Sequence, residues 1–144
     1  MINAAFYSWA GCTGGLTPSH GEAFINGRDV QTELGQVRSI TGICSQDNLL
    51  YEELSGLEHL EMYARFRGSL FLGVAAPRLN ADESSGVHDV DAEASELLDT
   101  VGLTKHADKR AVAYSGGMQR RLSVAIAYVG RPTVIYLDEP TTGV

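Results

Sequence analysis

The chain has 144 residues, 44% hydrophobic and 20% charged, the balance of one ordinary globular domain long enough to bury a core. A net charge of −7 speaks against a general nucleic-acid-binding surface. Apolar runs stay far below the ~18 residues of a bilayer span, and the start lacks the basic n-region of a signal peptide, so membrane association is expected through a partner.

Met1 to Gly21 carries Gly11, Gly14, Gly15 and Gly21 and only weak periodicity. Its first ten residues could begin a helix, and 17–21 is a turn around Pro18. Glu22 to Ile25 reads as a strand, Asn26-Gly27 as a tight turn, Val30 to Arg38 as a short helix, and Ser39 to Ser45 as a second strand ending at Gln46. Ser55-Gly56-Leu57-Glu58 is a capping box that opens a helix, with Leu57, Leu60, Tyr63 and Ala64 at helical spacing and Gly68 as its end. Residues 69–91 are mixed and turn-rich, the pattern of a loop or insertion. Ala92 to Val101 resumes as a helix that Gly102 stops, followed by a basic link over 105–110. A helix from Gly116 to about Val129 would be roughly 20 Å long. Thr133 to Leu137 is the continuous apolar run of a central parallel strand. Cys12 and Cys44 have neither a disulfide-framework nor a metal spacing and read as reduced, packed thiols.

The chemistry sits in the last thirty residues. A buried strand that ends in Asp138-Glu139 places two carboxylates at the carboxyl edge of a sheet, where α/β proteins bind ligands. One carboxylate can hold Mg²⁺ and the next can orient a water, and Pro140 keeps Glu139 extended. Solvated acids at a strand end fit that string equally well. Ser115-Gly116-Gly117 lets the backbone of a helix N-terminus approach a phosphate. Taken alone, the triplet is better explained as a plain N-cap turn. The pair is more specific, because Ser115 and Asp138 lie 23 positions apart, room for one helix and one strand.

Ser115-Gly116-Gly117-Met118-Gln119 resembles the signature motif of ATP-binding cassette (ABC) proteins. Val134 to Glu139 resembles their Walker B strand, and Gln46 sits like their Q-loop glutamine. Tyr-Ser-Gly-Gly-Met, Asp-Glu-Pro-Thr-Thr-Gly and Leu54-Ser55-Gly56-Leu57-Glu58-His59-Leu60 look most like the A subfamily of ABC transporters. The likeness runs from about Pro18 to Val144. It implies an α/β fold, a partial P-loop NTPase core with a parallel sheet plus an α-helical signature subdomain. Residues 1–46 and 130–144 would supply the core sheet, and 47–129 the helical subdomain with its insertion at about 69–91.

The resemblance also implies roles. Asp138 would help bind Mg²⁺, Glu139 would be the general base, and Gln46 would sense Mg²⁺ and the γ-phosphate of ATP. Ser115, Gly116, Gly117, Met118 and Gln119 would clamp an ATP held mainly by a second nucleotide-binding domain, head to tail. The Gln46 loop would meet a transmembrane partner, which puts the chain at the cytoplasmic face of a membrane, with lipid-type cargo implied by family.

The family's P-loop, Gly-x-x-x-x-Gly-Lys-Ser/Thr, is not in this sequence, whose first lysine is Lys105. Its place falls near 4–8 or before Met1. The D-loop aspartate and the switch histidine are not found either. His20, His59, His88 and His106 read as surface or packing residues. The expectation is therefore a fragment of an ABC ATPase domain that does not hydrolyse ATP alone. A non-hydrolytic module that lends its signature turn to a partner domain is the alternative, and a soluble ABC ATPase of DNA repair or translation is a third reading that the acidic charge disfavours.

Overall fold

The computed structural model describes residues 22–71 and 90–138. Phe24–Ile25 (β1) and Arg28–Asp29 (β2) form an antiparallel hairpin, with Phe24 opposite Asp29. Its turn residues Asn26 and Gly27 both take positive φ, 50° and 78°, the geometry that a two-residue hairpin turn demands. The sequence marked the turn and β1 but not β2, whose two charged residues carry no periodicity. The following helix α1 spans Leu34–Ser39 rather than starting at Val30. The Asp29 carboxylate accepts from the amides of Gln31 and Thr32, and this local turn delays the helix. Strand β3 is Thr41–Cys44.

Three helices carry the larger core: α2 (Gly56–Phe71), α3 (Val90–Thr100) and α4 (Gly116–Tyr128). The capping box holds α2 as expected, with the Ser55 amide donating to Glu58 Oε2 at 2.7 Å and the Glu58 amide to Ser55 Oγ at 3.2 Å. Helix α2 runs past Gly68 to Phe71 and α3 begins at Val90, so both ends of the expected loop are helical. The residues between them lie outside those described, as do the expected N-terminal helix, Cys12 and Glu139. Where a basic link was expected, the chain makes a 3₁₀ turn at Thr104–His106, and a second one, Ala111–Ala113, follows it. Leu60, Leu98, Leu103 and Leu122 are fully buried where the helices meet. Truncating one such leucine typically costs about 2–5 kcal/mol. A smaller cluster of Ile25, Val30, Val37 and Ile40 joins the hairpin to α1.

Strand β4 (Val134–Leu137) lies parallel to β3, with Thr41 opposite Val134 and Cys44 opposite Leu137. A parallel pair needs a long crossover, and all three large helices lie in it. The apolar run of β4 suggested a strand buried on both faces. Instead Val134, Ile135 and Tyr136 are half-buried and Leu137 is 43% exposed. Among the described residues β4 is laddered on one side only. Helix α4 lies directly on β3: a side chain at Gly42 would run into the Ala127 carbonyl oxygen. Cys44 is a free, buried thiol, in keeping with a packing role. No helix among the described residues is long and apolar enough to cross a membrane.

Candidate functional site

Parallel pairing brings the ends of β3 and β4 side by side, and with them two of the expected site residues. Gln46 is exposed two residues beyond β3. Asp138 is half-buried directly after β4, and its amide donates to the Cys44 carbonyl at 2.9 Å, which extends the ladder by one step. A depression of about 90 Å³ opens there, lined by Cys44, Ser45, Leu137 and Asp138 among others. Among the described residues it is well short of the ~300 Å³ of a small-molecule pocket, so they shape a shallow shelf there.

The residue that sequence reasoning missed is Arg120. It projects from α4 and is only 2% exposed. Its Nη1 donates to the carbonyls of Ser45 and Gln46, the latter at 3.2 Å, and its Nη2 donates to the Asp138 carbonyl. The planar guanidinium has donors enough to satisfy carbonyls on two strands at once. A signal was available. Arg120 stands seven residues before Ala127, on the face of α4 that lies over β3, where a charged residue has to be paired with polar groups. Arg121 reaches the other way, its Nη1 donating to the Val101 carbonyl at 3.0 Å and that of Gly102 at 3.3 Å, just past α3.

The loop after β3 hangs on further hooks. Ser123 Oγ meets Asn48 Oδ1 at 3.2 Å. His59, fully buried in α2, accepts the Tyr51 amide proton on Nε2 at 2.9 Å. An amide can only donate, so the neutral ring carries its proton on Nδ1, which faces the Ser55 carbonyl at 2.7 Å. Burial pushes the His59 pKa down, and the hydrogen bond to the Ser55 carbonyl partly opposes that shift. His59 thus acts as a packing histidine.

At the start of α4, Ser115 is the N-cap, its Oγ accepting the Met118 amide at 3.3 Å. Met118 packs against the larger core, and Gln119 Nε2 donates to the Ala111 carbonyl at 3.2 Å. Gly117 is half-buried. Ser115 and Gly116 are the exposed members of the five. A side chain at Gly116 would meet nothing within 4 Å, so internal packing does not require glycine there. The Ser115-Gly116 turn and the Gln46–Asp138 edge are separate places, joined by the first turns of α4.

For Mg²⁺, the side chains at the shelf are of the right kind. Asp138 and Gln46 offer oxygen donors, and Mg²⁺ is commonly held by one or two carboxylates with phosphate and water completing its shell. Among the described residues no group of three His, Cys, Asp or Glu side chains forms an all-protein metal cage.

Comparison with known proteins agrees with the family resemblance. A family model described as ABC transporter matches residues 11–142. ATP-binding cassette sub-family A member 2 of Homo sapiens is 44% identical over 131 residues, 91% of this chain and 5% of that protein. The retinal-specific phospholipid-transporting ATPase ABCA4 of Homo sapiens is 38% identical over 132 residues, 92% of this chain and 5% of that protein. The chain thus spans about 5% of the length of these relatives. The ATP-binding cassette MJ0796, solved as a dimer in a post-hydrolysis state with ADP and Pi, matches with a TM-score of 0.69 at 24% identity. That match covers 94% of this chain and 55% of the other, and it shows the fold. A family match over nearly the whole chain, with relatives of this identity and the parallel strand pair of the fold, means that the chain belongs to the ABC transporter family, as part of an A-subfamily-like ATP-binding domain.

Proposed function

We propose that the chain supplies one face of a two-domain ATP site in a lipid-type ABC transporter. Its Ser115-Gly116 turn closes on an ATP held by a second nucleotide-binding domain, and residues 47–129 work as the helical signature subdomain. The observation that carries this reading is Gly116. It is exposed at a helix N-terminus, where its own fold would accept a side chain, and a bare backbone there suits close approach by a phosphate. The dimer of MJ0796 with ADP and Pi supports a paired arrangement. The name of ABCA4 supports a phospholipid-like cargo.

At the ends of β3 and β4, Asp138 and Gln46 would hold Mg²⁺ beside the chain's own nucleotide, where the ion would neutralise charge on the phosphates. Glu139 would take the proton of the attacking water. Arg120 fixes the backbone from which Gln46 and Asp138 project. Leu49 (72% exposed), Tyr51 and Val112 each expose apolar surface, and the Val112 amide donates a hydrogen bond to the Glu52 carbonyl in the stretch that follows Gln46. That surface suits contact with a transmembrane partner. These 144 residues contain no Gly-x-x-x-x-Gly-Lys-Ser/Thr, and they would act with a second domain rather than turn over ATP by themselves.

The test is to mix the purified chain with an A-subfamily nucleotide-binding domain that carries a complete P-loop and to follow mass by light scattering. A complex that needs Mg·ATP and is lost in Gly116→Asp is expected. ATP turnover by the chain alone that vanishes in Glu139→Gln would overturn the reading.

A further inference from the structure

The signature turn and the Gln46–Asp138 edge serve two different ATP molecules under the reading above, yet one side chain joins them within the chain. Arg120 lies five residues after Ser115 on α4, so its own amide is anchored in the first hydrogen-bonded turns that Ser115 caps. Its guanidinium binds the carbonyls of Ser45, Gln46 and Asp138. All three lie beyond the last paired residues of β3 and β4, Cys44 and Leu137. Ser123, about one turn further along α4, meets Asn48. Helix α4 therefore grips the 45–48 loop at two points and the end of β4 at one.

We propose that Arg120 is a positioning residue that carries the state of the signature turn to Gln46 and Asp138 of the same chain. The proposal rests on the functional reading above for its purpose, but the coupling itself is a property of this chain. A rigid fork that spans two strands cannot shift without moving both or giving up buried hydrogen bonds. A lysine at this position keeps the charge but has no planar fork to bridge the strands.

The experiment is a double-substitution cycle on the chain itself, read by amide hydrogen exchange at residues 46–48 and at Asp138. Ser115→Ala removes the cap of α4 without touching Arg120. With Arg120 present it raises exchange at those amides about fivefold, the change in opening that an N-cap is worth. In the Arg120→Lys background Ser115→Ala changes them less than about twofold, while 116–119 still exchange faster. An arginine that merely holds the structure together gives additive effects. Equal responses in both backgrounds overturn the proposal. So does an unchanged Asp138 amide in Ser115→Ala alone, and that arm stands even where Arg120→Lys fails to fold. Neither arm uses nucleotide or a partner domain, so failure to form the two-domain complex, with this cycle intact, counts against the functional reading and not against the coupling.

Discussion

His59 and Gly42 show how single residues set the conditions under which the site exists. His59 is buried neutral, and it holds the Tyr51 amide on the nitrogen that a proton would occupy. Its folded pKa is depressed, so below the unfolded value of about 6.5 the unfolded chain binds more protons. Stability then falls as pH falls, until the folded value is reached. Between about pH 7 and 5, the thermal midpoint of the chain is expected to drop more steeply than that of His59→Gln. Parallel slopes would remove His59 from the account. Gly42 is a question of space. An added methyl would press on the Ala127 carbonyl oxygen, a backbone atom of a packed helix that cannot swing away. Gly42→Ala should cost about 1–3 kcal/mol in a urea titration, or more if α4 is forced off β3. The candidates Gln46, Ser115 and Asp138 were nameable from motif and spacing. Arg120 was not, because its partners are backbone carbonyls, and carbonyls leave no trace in residue types.

At the scale of elements, local chemistry was the better guide. The Ser55–Glu58 box named the start of α2, and both of its hydrogen bonds form. Ser55→Ala should lower stability by about 1 kcal/mol, with the loss visible as faster exchange in the first turn of α2. Arg121 holds two carbonyls at the end of α3, where a cation complements the helix dipole. It is an exposed contact, so Arg121→Ala should cost only about 0.5–1 kcal/mol in the same titration. The helices α2 and α3 were legible from apolar residues at helical spacing, and α4 from the glycine turn that opens it. The exposure of β4 was not, since an apolar run speaks of apolar neighbours without saying which strand supplies them. The delay of α1 to Leu34 turned on the Asp29 carboxylate, a competition that periodicity does not register.

At the scale of the molecule, α4 organises the chain. Its N-terminus is the Ser115-Gly116 turn, one flank packs into the larger core through Leu122 and Ala125, and the flank over β3 carries Arg120 to the ends of the parallel strands. The sequence placed the turn and the carboxylate on neighbouring elements. It could not say that they sit at separate places linked by one buried side chain, because that depends on how α4 lies on β3. The central claim is that the Ser115-Gly116 turn faces a nucleotide held by another domain. It is tested most directly by placing a cysteine at the turn, Ser115→Cys, and a second one in the P-loop of an A-subfamily nucleotide-binding domain. The account expects a disulfide between them under mild oxidation that forms with Mg·ATP and fails without it. A cross-link yield that is the same with and without nucleotide, or no cross-link in a complex that light scattering shows to exist, would contradict it.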